Sequence, residues 1–235
     1  MKILAIETAT EACSAALLIK HNGENTIISR FQLSPREHTK LLLPMMGELL
    51  EEADISLNEL NAIAFSRGPG AFTGLRIAAG VAQGVALSIN KPVIPVSTLN
   101  ALALSVDKDI IKGGKVIAAL DARMGELYWS SFTEEEGKLV QFSDEKVTKP
   151  EKMLDAISEE KRVIGVGIGW DAYKNDFFSK GINDNIILLD NQYPHAEFVV
   201  KIAMQKFSEG KVVAPEEAQP VYIRNKVAEK SSKRS

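Results

Sequence analysis

The feature that most constrains this chain is a glycine-rich turn followed by a helix with no polar face. Residues 66–76 read SRGPGAFTGLR and lead into residues 77–87, IAAGVAQGVAL. A surface helix normally buries one apolar stripe and exposes a polar one, whereas this segment is small or apolar on almost every side. The sequence therefore predicts a helix at 72–90 that packs on its own sheet and on something else as well.

Short β-rich runs and helical patterns alternate around this helix. The predicted strands are 2–7, 12–20, 24–33, 62–66 and 93–96, and the predicted helices are 35–52, 72–90 and 98–106. The dipeptide Asn22-Gly23 is typical of a tight hairpin, and Pro44 is expected to kink or restart the helix at 35–52. Strand, helix and strand in succession imply parallel neighbours joined by a right-handed crossover.

The same order of elements begins again after a polar break at 107–114. Strands are predicted at 115–121, 126–133, 138–142, 163–166 and 186–189, and helices at 150–158, 170–180 and 194–209. This duplication is the architecture of the actin-like ATPase and sugar-kinase superfamily. The predicted fold is therefore α/β, with two tandem actin-like (ribonuclease H-like) domains, each a mixed five-stranded sheet flanked by helices.

The expected domains are 1–106 and 107–210, followed by a C-terminal tail, 211–235. The last helix, 194–209, is a candidate to pack back on the first domain. The end of the tail, 224–235, contains five basic residues, which we interpret as a solvated terminus rather than a nucleic-acid contact. They are Arg224, Lys226, Lys230, Lys233 and Arg234.

Composition and charge exclude several classes of protein. A formal charge of −3 argues against a domain whose whole surface binds nucleic acid. The single cysteine, Cys13, excludes an internal disulfide and is consistent with a reducing compartment. The longest uncharged apolar run, 77–89, is shorter than the ~20 residues that span a bilayer. A cytoplasmic location without membrane contact is therefore expected.

Each predicted domain ends its first strand in an acid, Glu7 in one and Asp121 in the other. In the actin-like superfamily such acids hold magnesium beside a nucleotide, so a sugar-kinase-type ATP-dependent enzyme is the alternative function. The turn after Glu7 contains no glycine, and the turn after Asp121 contains one, although phosphate cradles need glycine for close approach. Magnesium-ATP chemistry is therefore disfavoured.

A weaker nucleotide or anion site stays open as a hypothesis, because a glycine-rich turn before a helix frees backbone N–H groups. Its residues would be Glu7, Thr8, Arg67, Gly68, Gly70 and Asp121. No metal site and no catalytic residue is predicted. The histidines His21, His38 and His195 lie far apart, and no Gly-x-Ser-x-Gly turn occurs.

The helices at 35–52 and 72–90 are the predicted partner surface. Leaving an apolar stripe of each in water would forgo ~1.5–3 kcal/mol per large side chain, a loss comparable in sum with the stability of a whole domain. We therefore expect a second helix pair to cover them, or a second copy of the chain when it is alone. The candidate interface residues are His38, Leu42, Met45, Leu49, Leu75, Ala78, Ala79, Ala82 and Ala86.

Five segments carry a resemblance to a known family. They are IETA at 6–9, HTKLLLP at 38–44, SRGPGAFTGLR at 66–76, DARMGE at 121–126 and YIR at 222–224. With these in view, the chain resembles the TsaB (YeaZ) family of bacterial tRNA threonylcarbamoyladenosine biosynthesis proteins, non-catalytic relatives of TsaD. The resemblance covers essentially the whole length.

The resemblance implies a non-catalytic subunit required for threonylcarbamoylation of the adenosine next to the anticodon. It implies a heterodimer with the transferase TsaD through a four-helix arrangement, which here would use 35–52 and 72–90. TsaD carries a metal-binding His-x-x-x-His motif that this sequence lacks. The other implied features are the ATPase TsaE as a second partner, a homodimer when alone, indirect contact with tRNA, and no cofactor except ATP or ADP at the partner interface.

Overall fold

The computed structural model describes residues 1–179 and 185–224, which fold into two lobes, each built on one sheet. The N-terminal lobe has the strand order β3-β2-β1-β4-β5. Its strands are β1 (Lys2–Glu7), β2 (Ala12–His21), β3 (Glu24–Leu33), β4 (Ala62–Gly68) and β5 (Val93–Ser97). The first three are antiparallel, and β4 and β5 continue parallel to β1. The predicted order of this half is confirmed.

Two long helices, α1 (His38–Glu52) and α2 (Phe72–Ser88), cover one face of this sheet, and a short α3 (Thr98–Leu104) follows β5. Helix α1 begins later than predicted, because Arg36 has a φ of +67°, which is incompatible with a right-handed helix. The helix continues through Pro44, so the predicted restart is wrong. A short 3-10 turn, Leu57–Glu59, leads into β4.

The C-terminal lobe has the strand order β11-β10-β6-β7-β8, and a sixth strand, β9, also pairs with β7. The predicted five-stranded sheet therefore gains one short strand. Its strands are β6 (Lys115–Asp121), β7 (Leu127–Glu135), β8 (Lys138–Gln141), β9 (Lys146–Thr148), β10 (Val163–Val166) and β11 (Ile186–Leu189). Its helices are α4 (Lys108–Ile111), α5 (Pro150–Ile157), α6 (Ile168–Ala172) and α7 (Lys174–Ser179). The helix predicted at 170–180 is thus divided at Tyr173, and its last residue lies outside the described residues.

The last helix, α8 (Ala196–Ser208), follows the second sheet in sequence but packs on the first. Val199, Val200 and Ala203 are fully buried against Ile3 and neighbouring strand residues, on the sheet face opposite α1 and α2. The backbone N–H of Ala196 donates to Ser14 Oγ at 2.9 Å. The N-terminal sheet is therefore covered by helices on both faces.

Residues 211–224, predicted as part of a tail, form a strap across the N-terminal lobe. Val213 pairs with Val93 through two 2.9 Å backbone hydrogen bonds, and Ala218 is fully buried. The N–H of Val221 donates to the carbonyl of Arg67 at 2.7 Å. The strap includes a 3-10 turn, Pro215–Glu217, and ends at Arg224, which is ion-paired with Glu126 of the C-terminal lobe. The interpretation of Arg224 as a solvated tail residue is wrong, and the other four basic residues lie outside the described residues.

The helices of the described residues include none that is both long and apolar enough to cross a membrane.

Candidate functional site

The turn after β1 is sealed by the protein itself. Glu7 is fully buried, its Oε1 accepts the N–H of Ala9 at 2.5 Å, and the Ser66 hydroxyl donates to its other oxygen. Burial raises the pKa of Glu7 to about 7, although both hydrogen bonds act to lower it. The acid therefore serves to hold its own turn rather than to face a ligand.

The glycines of the 66–76 segment allow α2 to begin directly against this turn. A Cβ on Gly74 would lie 1.9 Å from the carbonyl oxygen of Thr8, and one on Gly70 would lie 2.5 Å from that of Ala9. The N–H of Ala71 donates to Ala9 O at 2.7 Å, and the Thr8 hydroxyl donates to Gly74 O at 2.7 Å. The space that a phosphate would need is thus filled by backbone.

The remaining residues of the predicted anion site in this segment also have internal partners. Arg67 is half-buried and pairs with Glu145 of the C-terminal lobe at 3.3 Å, and Glu145 also accepts from Ser97. Gly68 has a φ of +112°, and a Cβ there would lie 2.8 Å from the carbonyl oxygen of Val221. Arg67 and Gly68 therefore tie the N-terminal lobe to Glu145 and to the strap, and the predicted site is not assembled.

The corresponding turn of the C-terminal lobe is open. The Asp121 carboxylate accepts the N–H of Arg123 at 2.8 Å, the Arg123 guanidinium at 2.9 Å and the Tyr173 hydroxyl at 3.2 Å. Arg123, Met124 and Gly125 all have positive φ, which turns the hairpin tightly. Arg123 also reaches Glu11 of the other lobe at 3.4 Å. Glu7 and Asp121 thus do not share a site, since Asp121 borders open space and Glu7 does not.

Between the two turns lies an inter-lobe cleft of about 1160 Å³. Its aromatic lining is Phe72, Tyr128, Tyr193 and Tyr222, and its charged lining is Arg36, Arg123, Arg224, Glu11, Asp121 and Asp171. Sequence reasoning found only Asp121 of these, because the others come from α2, β7, the strap and loops that are distant along the chain. The resemblance segments drew attention to parts of this lining, since Phe72 lies in 66–76, Arg123 in 121–126 and Tyr222 in 222–224.

The histidines are separate, as their spacing predicts. His38 is buried with Nε2 2.8 Å from the carbonyl oxygen of Thr10, and His195 Nδ1 accepts the N–H of Glu197 at 3.0 Å to cap α8. Within residues 1–179 and 185–224, no three His, Cys, Asp or Glu side chains form a group that could hold a metal ion.

The side chains chosen from the sequence as the partner interface are interior residues. All nine are at most 8% exposed: His38, Leu42, Met45, Leu49, Leu75, Ala78, Ala79, Ala82 and Ala86. They pack α1 and α2 onto the sheet, so a partner cannot reach them in the folded chain. The choice of stripe was therefore wrong, and a charged residue at Ala78 or Ala82 would disrupt the core instead of a complex alone.

The outward-facing residues of α1 and α2 include Leu43, Gly47, Phe72, Gly80, Gly84 and Leu87, with polar residues such as Lys40, Glu48 and Arg76 beside them. The side chains of Leu43, Phe72 and Leu87 are 56%, 44% and 59% exposed. A Cβ added to Gly47, Gly80 or Gly84 would have no atom within 4 Å. Part of this outer face is thus apolar and close to the backbone, and charged side chains border it.

Comparisons with known proteins agree with this architecture. The family model for TsaD, tRNA N6-adenosine threonylcarbamoyltransferase, matches residues 26–232. The tRNA threonylcarbamoyladenosine biosynthesis protein TsaB of Escherichia coli is 43% identical over 97% of this chain and 96% of its own length. The Haemophilus influenzae protein of the same name is 37% identical over 97% of this chain and 95% of its own. The solved structure of YeaZ from Pseudomonas aeruginosa has a TM-score of 0.79 at 38% identity, covering 94% of this chain and 99% of that one.

The fold defines a two-lobed actin-like protein in which the backbone of the first lobe itself fills the turn after β1. The relatives identify it further: the chain belongs to the TsaB (YeaZ) family. The predicted family and α/β fold class are confirmed.

Proposed function

We propose that this chain is a non-catalytic subunit for threonylcarbamoyladenosine biosynthesis in tRNA, acting as partner and stabiliser of a TsaD-type transferase. The names of its relatives support the pathway. The geometry supports the accessory role, since Glu7 is buried and both of its oxygens are engaged by Ala9 and Ser66. The sugar-kinase alternative is not favoured, because Glu7 and Asp121 face different surroundings.

Three glycines carry the proposal of a docking surface. Gly47, Gly80 and Gly84 have no positive φ and no neighbour that a Cβ would meet. Every other glycine in the described residues has either a positive φ or an atom within 3 Å of its built Cβ. Glycine inside a helix costs about 1 kcal/mol relative to alanine. Alanine at these three positions would therefore make the monomer more stable. The glycines do not serve the fold of the monomer, so we infer that they serve contact with another molecule.

A closely approaching helix is the partner that such glycines suit. Gly80 and Gly84 are four residues apart, so they lie on one line along α2, and small residues on one line let two helix backbones approach closely. The exposed side chains of Leu43, Phe72 and Leu87 would bury apolar area around that contact. A helix pair docking here would complete a four-helix arrangement.

We expect a TsaD-type protein to be the partner that supplies that helix pair. The TsaD family model matches residues 26–232, a range that contains α1 and α2, so a TsaD-type protein has counterparts of both helices. Two copies of this chain could meet through the same surfaces, which makes a homodimer the expected state of the chain alone. The proposal also includes a TsaE-type ATPase as a further partner, and ATP or ADP bound only at the partner interface.

The test is a reconstituted tRNA threonylcarbamoylation reaction with TsaD-type and TsaE-type proteins, the adenylate-forming enzyme and this chain. Modification should require this chain and should be lost when Gly80→Leu and Gly84→Leu are combined. The control is Ala156→Leu, which enlarges an exposed alanine of α5 and should retain activity. Glu7→Gln should also retain activity. Modification without this chain would contradict the role, and loss of turnover in Glu7→Gln with the complex intact would contradict the non-catalytic assignment.

A further inference from the structure

The inter-lobe cleft adjoins the docking face at Phe72, and its own lining is that of a binding site. Its volume of about 1160 Å³ exceeds the ~300–1,000 Å³ of typical small-molecule pockets. We propose that the cleft binds an unpaired nucleotide of RNA, with base and ribose inside and backbone phosphates at the mouth. This inference rests on the proposed function, whose substrate is tRNA, and it replaces the expected indirect contact with a direct one.

A free magnesium-bound nucleoside triphosphate does not suit this cleft. The backbone at Thr8 and Ala9 is packed against Gly70 and Gly74, so it cannot form a phosphate cradle. No group of metal-ligating side chains occurs within the described residues. Recognition in the cleft must therefore use side chains, and it must use them on parts of a ligand other than a triphosphate.

Aromatic side chains from four separate elements line the cleft. Tyr128 lies on β7, Tyr193 precedes α8, Tyr222 belongs to the strap and Phe72 opens α2. Phe72 and Tyr222 are 44% and 43% exposed, with ring centroids 5.4 Å apart. Unpaired bases are typically held by stacking on such rings, because every base has a π-face.

The charged side chains of the lining balance in number, and one of the arginines has no partner among the described residues. Three arginines face three acids, so the cleft as a whole carries no excess positive charge and favours a base with its sugar over a phosphate. The carboxylates of Glu11 and Asp171 are acceptors suited to ribose hydroxyls. The guanidinium of Arg36 is exposed and makes no ion pair or hydrogen bond within residues 1–179 and 185–224, so it is free to contact a phosphate.

The experiment titrates a fluorescently labelled, unpaired RNA heptanucleotide with the full chain, alone and in complex with a TsaD-type partner, and follows anisotropy. Tyr193→Leu should weaken binding roughly fivefold or more, since one base stack is lost. Phe142→Leu is the matched control, because Phe142 is an exposed aromatic residue of the same lobe outside the cleft. Arg36→Asn, which tolerates the positive φ, should weaken binding and reduce its salt dependence.

RNA should bind more tightly than DNA of the same sequence and than ADP, because the 2′-hydroxyl and the flanking phosphates are both recognised. Equal affinity of Tyr193→Leu and Phe142→Leu together with an unchanged Arg36→Asn would overturn the proposal. Equal binding of DNA, or a partner peptide cross-linked into the cleft in place of RNA, would also overturn it. Neither Tyr193 nor Arg36 lies on the outer face of α1 and α2, so complex formation in the same samples reports separately on the proposed function.

Discussion

The two lobes share one order of elements but differ in what happens at the end of their first strand. In the N-terminal lobe Glu7 is fully buried, and the start of α2 fills the turn beyond it. In the C-terminal lobe Asp121 borders the cleft, and Met124 at the tip of its turn is 65% exposed. In the N-terminal lobe the turn after β1 thus has no space for a ligand and instead packs against the start of α2. In the C-terminal lobe the corresponding turn forms part of the cleft lining.

The helices differ in the same sense. α1 and α2 contain 15 and 17 residues, whereas their counterparts are α5 with 8 residues and the divided pair α6 and α7 with 5 and 6. The long helices of the N-terminal lobe pack on a filled turn and offer a rigid surface to a partner. The helices of the C-terminal lobe are too short to offer such a surface, and this lobe contributes to the cleft lining instead. Duplication of an architecture therefore does not fix the use of each copy, which depends on local packing at a few residues.

The largest expected effect on stability comes from disrupting the packing of α2 against the turn after β1. Gly74→Ala should destabilise the chain by more than about 3 kcal/mol, because its Cβ would overlap the Thr8 carbonyl and backbone must move. Gly125→Ala, at the open turn of the other lobe, has free space and should cost only about 1 kcal/mol for its positive φ. Chemical denaturation measures both, and equal costs would contradict the difference between the turns.

A smaller effect should appear in the pH dependence of stability. The pKa of Glu7 is about 7 in the folded chain against 4.5 when exposed, so folding retains a proton that unfolding releases. Stability from this group is present at low pH and is lost as pH rises between these two values. Wild type should lose about 2 kcal/mol more than Glu7→Gln between about pH 5 and about pH 8. Parallel curves for the two proteins would contradict a buried acid at this turn.

The smallest effect concerns the outer face. Gly80→Ala and Gly84→Ala should each stabilise the isolated monomer by about 1 kcal/mol, because helix propensity improves and nothing is displaced. The opposite change in the other lobe, Ala156→Gly, should destabilise by up to about the same amount. Measurements at low protein concentration keep self-association from masking the effect. Destabilisation by Gly80→Ala would show that the monomer does require this glycine.

Much of the fold follows from local patterns, whereas most of the site does not. Alternation and turn residues such as Asn22-Gly23 located the strands, because a strand's face and its hairpin are encoded over a few positions. The start of α1 was misplaced because Arg36 adopts a positive φ that its residue type does not announce. The strap was missed because Val213 and Val221 are held by partners more than a hundred residues away.

The choice of helix face shows where periodicity stops being informative. Both faces of α2 are apolar or small, so the pattern could not say whether Ala78 and Ala82 or Gly80 and Gly84 point inward. The structure separates them by contact: the alanines are fully buried against the sheet, and the glycines meet nothing within 4 Å. Only the difference between alanine and glycine positions along α2 could have indicated which face of the helix packs on the sheet.

The most direct test of the docking surface is the dissociation constant for a TsaD-type partner, measured by calorimetry with wild type, Gly80→Leu and Ala156→Leu. We expect Gly80→Leu to weaken binding by roughly a hundredfold or more, because a leucine side chain would hold the two helix backbones apart. Ala156→Leu should bind like wild type, and both variants should unfold near the wild-type temperature. Wild-type affinity of a folded Gly80→Leu would contradict docking on this face.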